Sequence, residues 1–228
     1  MRLKNLIFSE FRLLYKYGIV YLYGIFTAMY LCLLAAIPST AREATVSVLL
    51  FTDPAAMGLF FMGAMVLFEK SQRVESSLGV SPIKISEYII AKVVPIMVIG
   101  TFVSLVICLF GSSHNILLVL LGVILSSIIF SLCGLFVGSN IKTLNGFMIA
   151  TVPFEIILFL PALLYLFGVI TSDLWTIHPG VAAIRLISGD LQLWYLSVFF
   201  LALWIVPIYL ACKKAVVKSF SCMGGAKI

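Results

Sequence analysis

The sequence predicts an all-α integral membrane protein with six transmembrane helices. The first observation is composition: 63% of the 228 residues are hydrophobic and 11% are charged. Soluble domains carry about 25% charged residues, so a soluble fold could not cover this many apolar side chains with a polar surface. The second observation is that six apolar runs reach the roughly 17–25 residues that a helix needs to cross the hydrocarbon core. Soluble enzymes and nucleic-acid-binding proteins are therefore excluded.

The six runs are separated by shorter charged or polar connections. We place the spans at 18–37, about 46–68, 93–110, 116–138, 147–170 and 191–212. The sequence Gly-Ser-Ser-His-Asn at 111–115 predicts a tight turn between the third and fourth spans. Residues 1–228 are predicted to form one membrane domain. Two connections are too long to be simple turns, namely 69–92 and 171–190.

The distribution of Lys and Arg residues predicts the orientation of the spans. Thirteen of the fifteen lie in the N-terminal segment, in the connections after the second and fourth spans, and in the C-terminal segment. The connections on the other side hold only Arg42 and Arg185. Because cationic connections are retained on the cytoplasmic side, both termini are predicted to be cytoplasmic.

Residues 1–17 have the pattern of an amphipathic helix that lies in the membrane interface. On a helical wheel, the Leu, Ile and Phe side chains of this segment share one broad face, and most of its charged side chains share the other. Glu10 is the exception, because it falls within the apolar face. We interpret Glu10 as a surface residue, with contact to a protein partner as the alternative.

The motifs of several enzyme classes are absent from this sequence. It contains no GxxxxGK[ST] loop for ATP phosphates, no HExxH and no GxSxG. Glu69 and Arg73 loosely resemble part of an intramembrane protease signature, but His114 would lie about 30 Å away across the bilayer. The five Cys residues form no CxxC pair and are interpreted as small apolar side chains. We therefore expect a protein that is not an enzyme, with no metal site.

The connection 69–92 is predicted to contain two short helices at the cytoplasmic face. The first continues the second span and ends at Gly79 and the Ser81-Pro82 pair. Ser86 is predicted to cap the second helix, which runs from Glu87 to Lys92 into the third span. Such mixed-charge helices form a docking surface, and the alternative is an ordinary solvated loop.

This connection resembles the corresponding segment of the ABC-2 type permease family, and the six spans and the amphipathic start resemble that family over the whole chain. The matching residues are Glu69, Glu75, Ser81, Pro82, Ser86, Glu87, Tyr88 and Lys92. Together with Thr52-Asp53-Pro54, they are most similar to permeases of the fluoroquinolone-export type.

The resemblance implies a permease subunit of an ATP-driven exporter in a prokaryotic plasma membrane. Two permease chains would pair, each on a separate ATP-binding subunit, and ATP and Mg²⁺ would bind that partner rather than this chain. The cargo would be a hydrophobic or amphipathic compound, such as a fluoroquinolone. The residues implied in coupling to the ATPase are Glu69, Arg73, Glu75, Ser81, Pro82, Glu87 and Tyr88.

Two acidic residues lie within the apolar spans, where an ionisable side chain is costly and often functional. Asp53 precedes Pro54, and this pair predicts a helix N-cap with proline at the first position, so that 46–52 would be an external lead-in. Direct contact with the substrate is the alternative for Asp53. Glu155 lies deep in the fifth span, where we expect either a hydrogen bond to a neighbouring helix or attraction of a cationic amphiphile.

The family implies a cavity lined by the second and fifth spans at the interface between the two permease chains. Its candidate residues are Met57, Phe60, Phe61, Glu155 and Phe159, although the apolar ones are equally ordinary as core or lipid-facing side chains. The external segment 171–190 is predicted to form a short re-entrant or interfacial helix, and the resemblance implies that it caps the outer end of the pore. His178 and Arg185 are its candidate gate residues, with an ordinary polar loop residue as the alternative for His178.

Two other functions remain compatible with the residues alone. One is a secondary multidrug transporter driven by protons, in which Glu155 titrates during transport. The other is a membrane protein that transports nothing, such as an immunity or sensor subunit.

Overall fold

The computed structural model of the chain describes residues 2–72, 83–111 and 115–224, and every regular element in these ranges is helical. In chain order they are α1 (Arg2–Lys16), α2 (Ile19–Ala36), α3 (Ser39–Pro54), a π-helical segment (Ala55–Phe61), α4 (Met62–Ser71), α5 (Ile85–Gly111), α6 (Ile116–Asn140), α7 (Leu144–Leu166), a 3₁₀ turn (Asp173–Ile177), α8 (Pro179–Ile187) and α9 (Trp194–Gly224).

Six helices in these ranges are long and apolar enough to cross a membrane, as predicted. They are α2, the continuous helix through α3 and α4, α5, α6, α7 and α9. Two begin six or more residues earlier than the apolar runs indicated. The second span starts at Thr40 instead of residue 46, and the third starts at Ile85 instead of residue 93. The predicted short helix over 87–92 is thus the first part of α5.

The predicted caps of the second and third spans are both wrong. Asp53 and Pro54 lie inside a continuous helix that begins fourteen residues before Asp53, at Ser39. The proline has no N–H for the helical ladder, and the wider π-helical turn starts directly after it. Ser86 lies inside α5. The cap there comes from Glu87, whose Oε2 accepts the Lys84 N–H at 3.1 Å.

The central helix is α6, which contacts α5, α9, α8, α4 and the π-helical segment. Small residues allow its backbone to approach the second span. A Cβ atom added to Gly138 would stand 3.0 Å from the Cα of Gly63, and one added to Gly58 would stand 3.0 Å from the Ser131 nitrogen. The Gly and Ser residues on this side of the fourth span therefore form a packing surface.

The bundle has two ends that are defined by the chain direction. At one end α4 stops, α5 and α7 begin, and Phe220 of α9 packs on Tyr88 of α5. At the other end α6 and α9 begin and α7 stops, and there α8 lies with all nine residues buried. The predicted short helix within 171–190 is thus present and is enclosed by the bundle.

Candidate functional site

Four side chains from three helices form a buried charge cluster at the end of the bundle where α4 stops. We use this name for Glu10, Glu69, Tyr88 and Lys92. The Lys92 Nζ lies 2.5 Å from Glu69 Oε1 and 3.1 Å from Glu10 Oε1. The Tyr88 hydroxyl donates to Glu69 Oε2 at 3.3 Å. The side chain of Lys92 is 1% exposed. The cluster therefore joins α1 to the end of the second span and the start of the third.

Glu10 is a buried ion-pair partner, and its interpretation as a surface residue was wrong. Its place on the apolar face of α1 is explained by the cluster, since that face packs against α5 and carries the carboxylate to Lys92. Burial raises the pKa of Glu10 from its ordinary value of 4.5, the Lys92 ammonium opposes this increase, and the Glu69 carboxylate adds to it. Two carboxylates thus share one cation away from water.

The raised pKa of Glu10 predicts a pH dependence of stability. Since the folded protein holds this proton more tightly than the unfolded chain, the stabilisation is complete below pH 4.5 and is lost as the pH rises through the raised value. We expect the unfolding temperature of the native chain to fall over this interval relative to Glu10→Gln, as measured in detergent at a series of pH values. Parallel pH profiles for the two proteins would contradict the assignment.

Lys70 fixes the same end of the bundle in a second way. Its Nζ donates to the carbonyl oxygens of Gly138, Ser139 and Ile141 at 2.9, 2.6 and 3.2 Å. These carbonyls belong to the C-terminal end of α6, where a cation also complements the helix dipole. The last turn of the second span is therefore attached to α6 by Lys70 and to α5 by Glu69, and Lys92 links this end to α1.

The residues implied in coupling to an ATPase fall into two groups. Arg73, Glu75, Ser81 and Pro82 lie outside the described residues. Glu69 and Tyr88 are 4% and 2% exposed, so neither offers a surface to another chain. Glu87 is partly buried and caps α5. The described part of the segment thus consists of anchoring residues on either side of 73–82.

Arg185 is the centre of a second polar cluster at the opposite end of the bundle. Its Nη1 donates to Asp173 at 2.9 Å and to Thr176 at 2.7 Å, and its Nη2 donates to Asp190 at 2.9 Å. The guanidinium carbon lies 5.4 Å from the centre of the Tyr165 ring. These contacts fasten α8 to the 3₁₀ turn before it, to the loop after it and to α7.

His178 caps α8, whose first helical residue is Pro179. The His178 Nδ1 accepts the Gly180 N–H at 3.2 Å, and burial lowers the pKa of His178. A neutral imidazole is the form that can accept this bond. Gly180 itself packs directly against the Leu158 carbonyl of α7, which leaves no room for a side chain. The two candidate gate residues therefore hold α8 in place, and a gating role remains a prediction.

Within the described residues of one chain, the candidate pathway residues have different surroundings, and a cavity at the interface with a second chain remains a prediction. Met57 is buried in the main core, whereas Phe60 packs against the small cluster around Phe147. Phe159 lies 4.9 Å from the ring of Phe51, measured between ring centres. Glu155 is partly buried on α7. Only Phe61 borders a large open groove, which lies beside the charge cluster.

Asp53 is buried without a hydrogen-bond partner in the described part of the chain. Neither of its carboxylate oxygens contacts solvent or a hydrogen-bond donor there. The hydroxyl groups of Tyr23 and Ser131 are likewise buried without a hydrogen-bond partner among the described residues. Since Asp53 caps no helix, the alternative of a functional role gains weight. No group of three or more His, Cys, Asp or Glu residues in the described ranges could hold a metal ion.

Sequence reasoning missed the pairing of Glu10 with Lys92 and the partners of Arg185. Glu10 and Lys92 are separated by 82 positions in the sequence. Arg185 is separated from Asp190 by 5 positions and from Asp173 by 12. One signal for the first pair was present, because a carboxylate on an apolar helix face requires a buried cation. No comparable signal marked Lys70 as the residue that binds the end of α6.

The fold and its two polar clusters define a multi-pass, all-helical membrane protein with an amphipathic N-terminal helix and an enclosed short helix at the opposite end. Over residues 1–220 the sequence matches the Fluoroquinolones export permease protein family. The chain belongs to that family.

Two curated relatives carry the corresponding description. They are the fluoroquinolones export permease proteins of the Mycobacterium tuberculosis strains CDC 1551 / Oshkosh and ATCC 25618 / H37Rv. Each is 27% identical to this chain over 150 residues, which cover 64% of this chain and 61% of the relative. The chain thus matches less than two thirds of the relatives' length. No solved structure shows significant similarity to it.

Proposed function

We propose that this chain is the membrane subunit of an ATP-driven ABC exporter in a prokaryotic plasma membrane. Its cargo would be an amphipathic aromatic compound of the fluoroquinolone class, in line with the family and with the names of the relatives. The chain has no phosphate-binding loop, so ATP and Mg²⁺ would bind a separate subunit. A second permease chain would complete the pore, with both termini on the cytoplasmic side.

The observation that carries this proposal is the charge cluster on either side of residues 73–82. Glu69 precedes the segment and Lys92 follows it; Lys92 pairs with Glu69 and also with Glu10 of α1. A partner that moved the segment would therefore displace the ends of two spans and α1 together. Such a two-state element is what alternating access requires. In this proposal Arg73, Glu75, Ser81, Pro82 and the neighbouring helix ends form the coupling element.

The proposal is tested by purifying the tagged chain from its native membrane. We expect an ATP-binding subunit to co-purify with the native chain and to be lost from Glu75→Lys. Glu43→Lys, near the start of α3 at the opposite end, makes the same charge change and should keep the subunit bound. A chain that comes out folded and alone, under conditions that preserve other transporter complexes, would overturn the proposal.

A proton-driven transporter is the second candidate, and Asp53 is the observation that favours it. An unpartnered carboxylate inside a span is a candidate proton carrier. The energy source separates the two candidates. If transport stops when the proton gradient is collapsed and continues when ATP is depleted, the proton-driven function is correct, and Asp53→Asn and Glu155→Gln should then each reduce the rate.

A further inference from the structure

A groove of about 500 Å³ lies beside the second span. We call it the lateral groove. One wall is formed by Tyr17 and Ile19 at the corner between α1 and α2, and the other by the 61–68 part of the second span. Lys142, between α6 and α7, and Leu144, the first residue of α7, also line the groove. Gly18 makes the corner possible, because its φ of 76° lies in the left-handed region.

The walls of the lateral groove are apolar and aromatic. Tyr17, Phe61 and Phe68 contribute three rings, and Tyr17 and Phe68 pack edge to face with their centres 4.9 Å apart. Met65 adds a flexible thioether. Rings of this kind form stacked or edge contacts with a flat aromatic molecule. The volume also falls within the roughly 300–1,000 Å³ that is usual for sites that hold drug-sized ligands.

Lys142 is the one charged residue among the described residues that line the lateral groove. Lys142 is exposed, and its ammonium makes no ion pair or side-chain hydrogen bond within residues 2–72, 83–111 and 115–224. Lys70, which precedes the groove residue Ser71, differs because its ammonium binds three carbonyl oxygens at the C-terminal end of α6. The free charge of Lys142 is therefore available to an acid whose apolar body lies in the groove.

The lateral groove is also adjacent to the charge cluster. Met65 lines the lateral groove. Together with Met62, it also lines the small gap that is bordered by Glu10 and Lys92. Ser71, the last residue of α4, lies at the groove as well. A ligand in the groove would thus contact the same turn of the second span that leads into the proposed coupling element.

From these observations we propose that the lateral groove is the binding site for a flat aromatic acid before its transport, with Lys142 holding the carboxylate and Phe61 and Phe68 contacting the ring. This inference rests on the proposed function and names the site at which the cargo loads. Fluoroquinolones have the required chemistry, since they carry a carboxylate on a fused aromatic ring. A two-chain phospholipid fits the groove less well, because most of its acyl surface would remain outside.

The test is a binding titration on the full-length chain purified in nanodiscs of neutral phosphatidylcholine. The probe is norfloxacin, a fluoroquinolone whose ring fluorescence reports binding, and its ethyl ester is the counterpart that lacks the carboxylate. We expect Lys142→Gln to raise the Kd of norfloxacin about fivefold, as for an exposed ion pair, and Lys142→Arg to restore it. The ester should bind the native chain and Lys142→Gln equally.

Two matched controls separate the groove from general effects. Lys214→Gln removes the same charge from an exposed position of α9 and should leave the Kd unchanged. Ala64→Phe fills the groove and should abolish binding of both probes, whereas Ala211→Phe adds the same ring to the exposed surface of α9 and should not. All variants are first compared by thermal unfolding, so that loss of binding is scored only for folded protein.

Several outcomes would overturn the inference. One is a norfloxacin Kd that is the same in the native chain, Lys142→Gln and Ala64→Phe. Another combines two results: phosphatidylglycerol in the nanodisc displaces norfloxacin only when Lys142 is present, and Ala64→Phe still exports the drug. Together these results would show that the groove binds lipid and not the cargo. The ATPase co-purification described above is carried out on the same variants. Groove binding without a co-purifying ATPase would reject the proposed function alone, and an ATPase without groove binding would reject this inference alone.

Discussion

Replacing Lys92 with methionine is expected to cause a large loss of stability, of about 3–5 kcal/mol, because it leaves two buried carboxylates without a cation. Methionine has nearly the same length, so the effect comes from the missing charge rather than from a cavity. Glu10 and Glu69 would then repel each other, and α1 should detach from α5. Thermal unfolding can be followed with a thiol-reactive dye, since Cys108, Cys133 and Cys212 are buried in the folded protein.

A neutral version of the charge cluster is the control for this prediction. The triple variant Glu10→Gln, Glu69→Gln and Lys92→Met removes all three charges and should recover most of the stability lost in Lys92→Met, since no unpaired ion remains. If Lys92→Met unfolds at the native temperature, the cluster is not formed in the folded protein. Recovery of stability without recovery of ATPase-dependent export would assign the charges to coupling.

The second large effect is expected from Gly134→Ala. A Cβ atom at this position would lie 2.7 Å from the Gly58 carbonyl oxygen and 3.0 Å from the Leu59 carbonyl carbon, both of which are backbone atoms of the π-helical segment. Backbone cannot move aside as a flexible side chain can, so the fourth and second spans would have to separate. We expect a loss at the upper end of the ~1–3 kcal/mol that overpacking usually costs, measured by the same thermal assay.

Gly24→Ala makes the same chemical change without a clash. Gly24 lies within α2, and a Cβ atom there would meet nothing within 4 Å. This variant should be neutral or stabilised by up to about 1 kcal/mol, because alanine favours the helix. Equal losses for Gly24→Ala and Gly134→Ala would show that the second and fourth spans do not pack at the distance described.

The spans could be predicted from sequence because the membrane requires long apolar helices, but their ends could not. Residues 39–45 read Ser-Thr-Ala-Arg-Glu-Ala-Thr, which is too polar to extend an apolar run, yet they form the first turns of α3. A helix may continue beyond the hydrocarbon core wherever its backbone bonds are satisfied internally. The apolar run therefore marks the membrane-embedded part of a helix and not its whole length.

The polar sites show a different limit of sequence reasoning. Asp53-Pro54 has the local pattern of a helix start, but packing on α6 overrides it and the π-helical turn accommodates the proline. Glu10 and Lys92 each looked like surface charges because the distant partner that neutralises them is set by tertiary structure. The lateral groove also could not be predicted from the sequence, because its walls come from residues near 17, 65 and 142, which are far apart in the chain.

The pairing of Glu10 with Lys92 also orders events during synthesis of the chain. The two residues are 82 positions apart, so α1 is made several seconds before its partner at synthesis rates of about 5–20 residues per second. Until Lys92 has been made, the Glu10 carboxylate has no buried cation and is held at the membrane surface by water. Packing of α1 against α5 is thus a late step in the biogenesis of the protein. In nascent chains that end before Lys92, α1 should therefore remain accessible to protease.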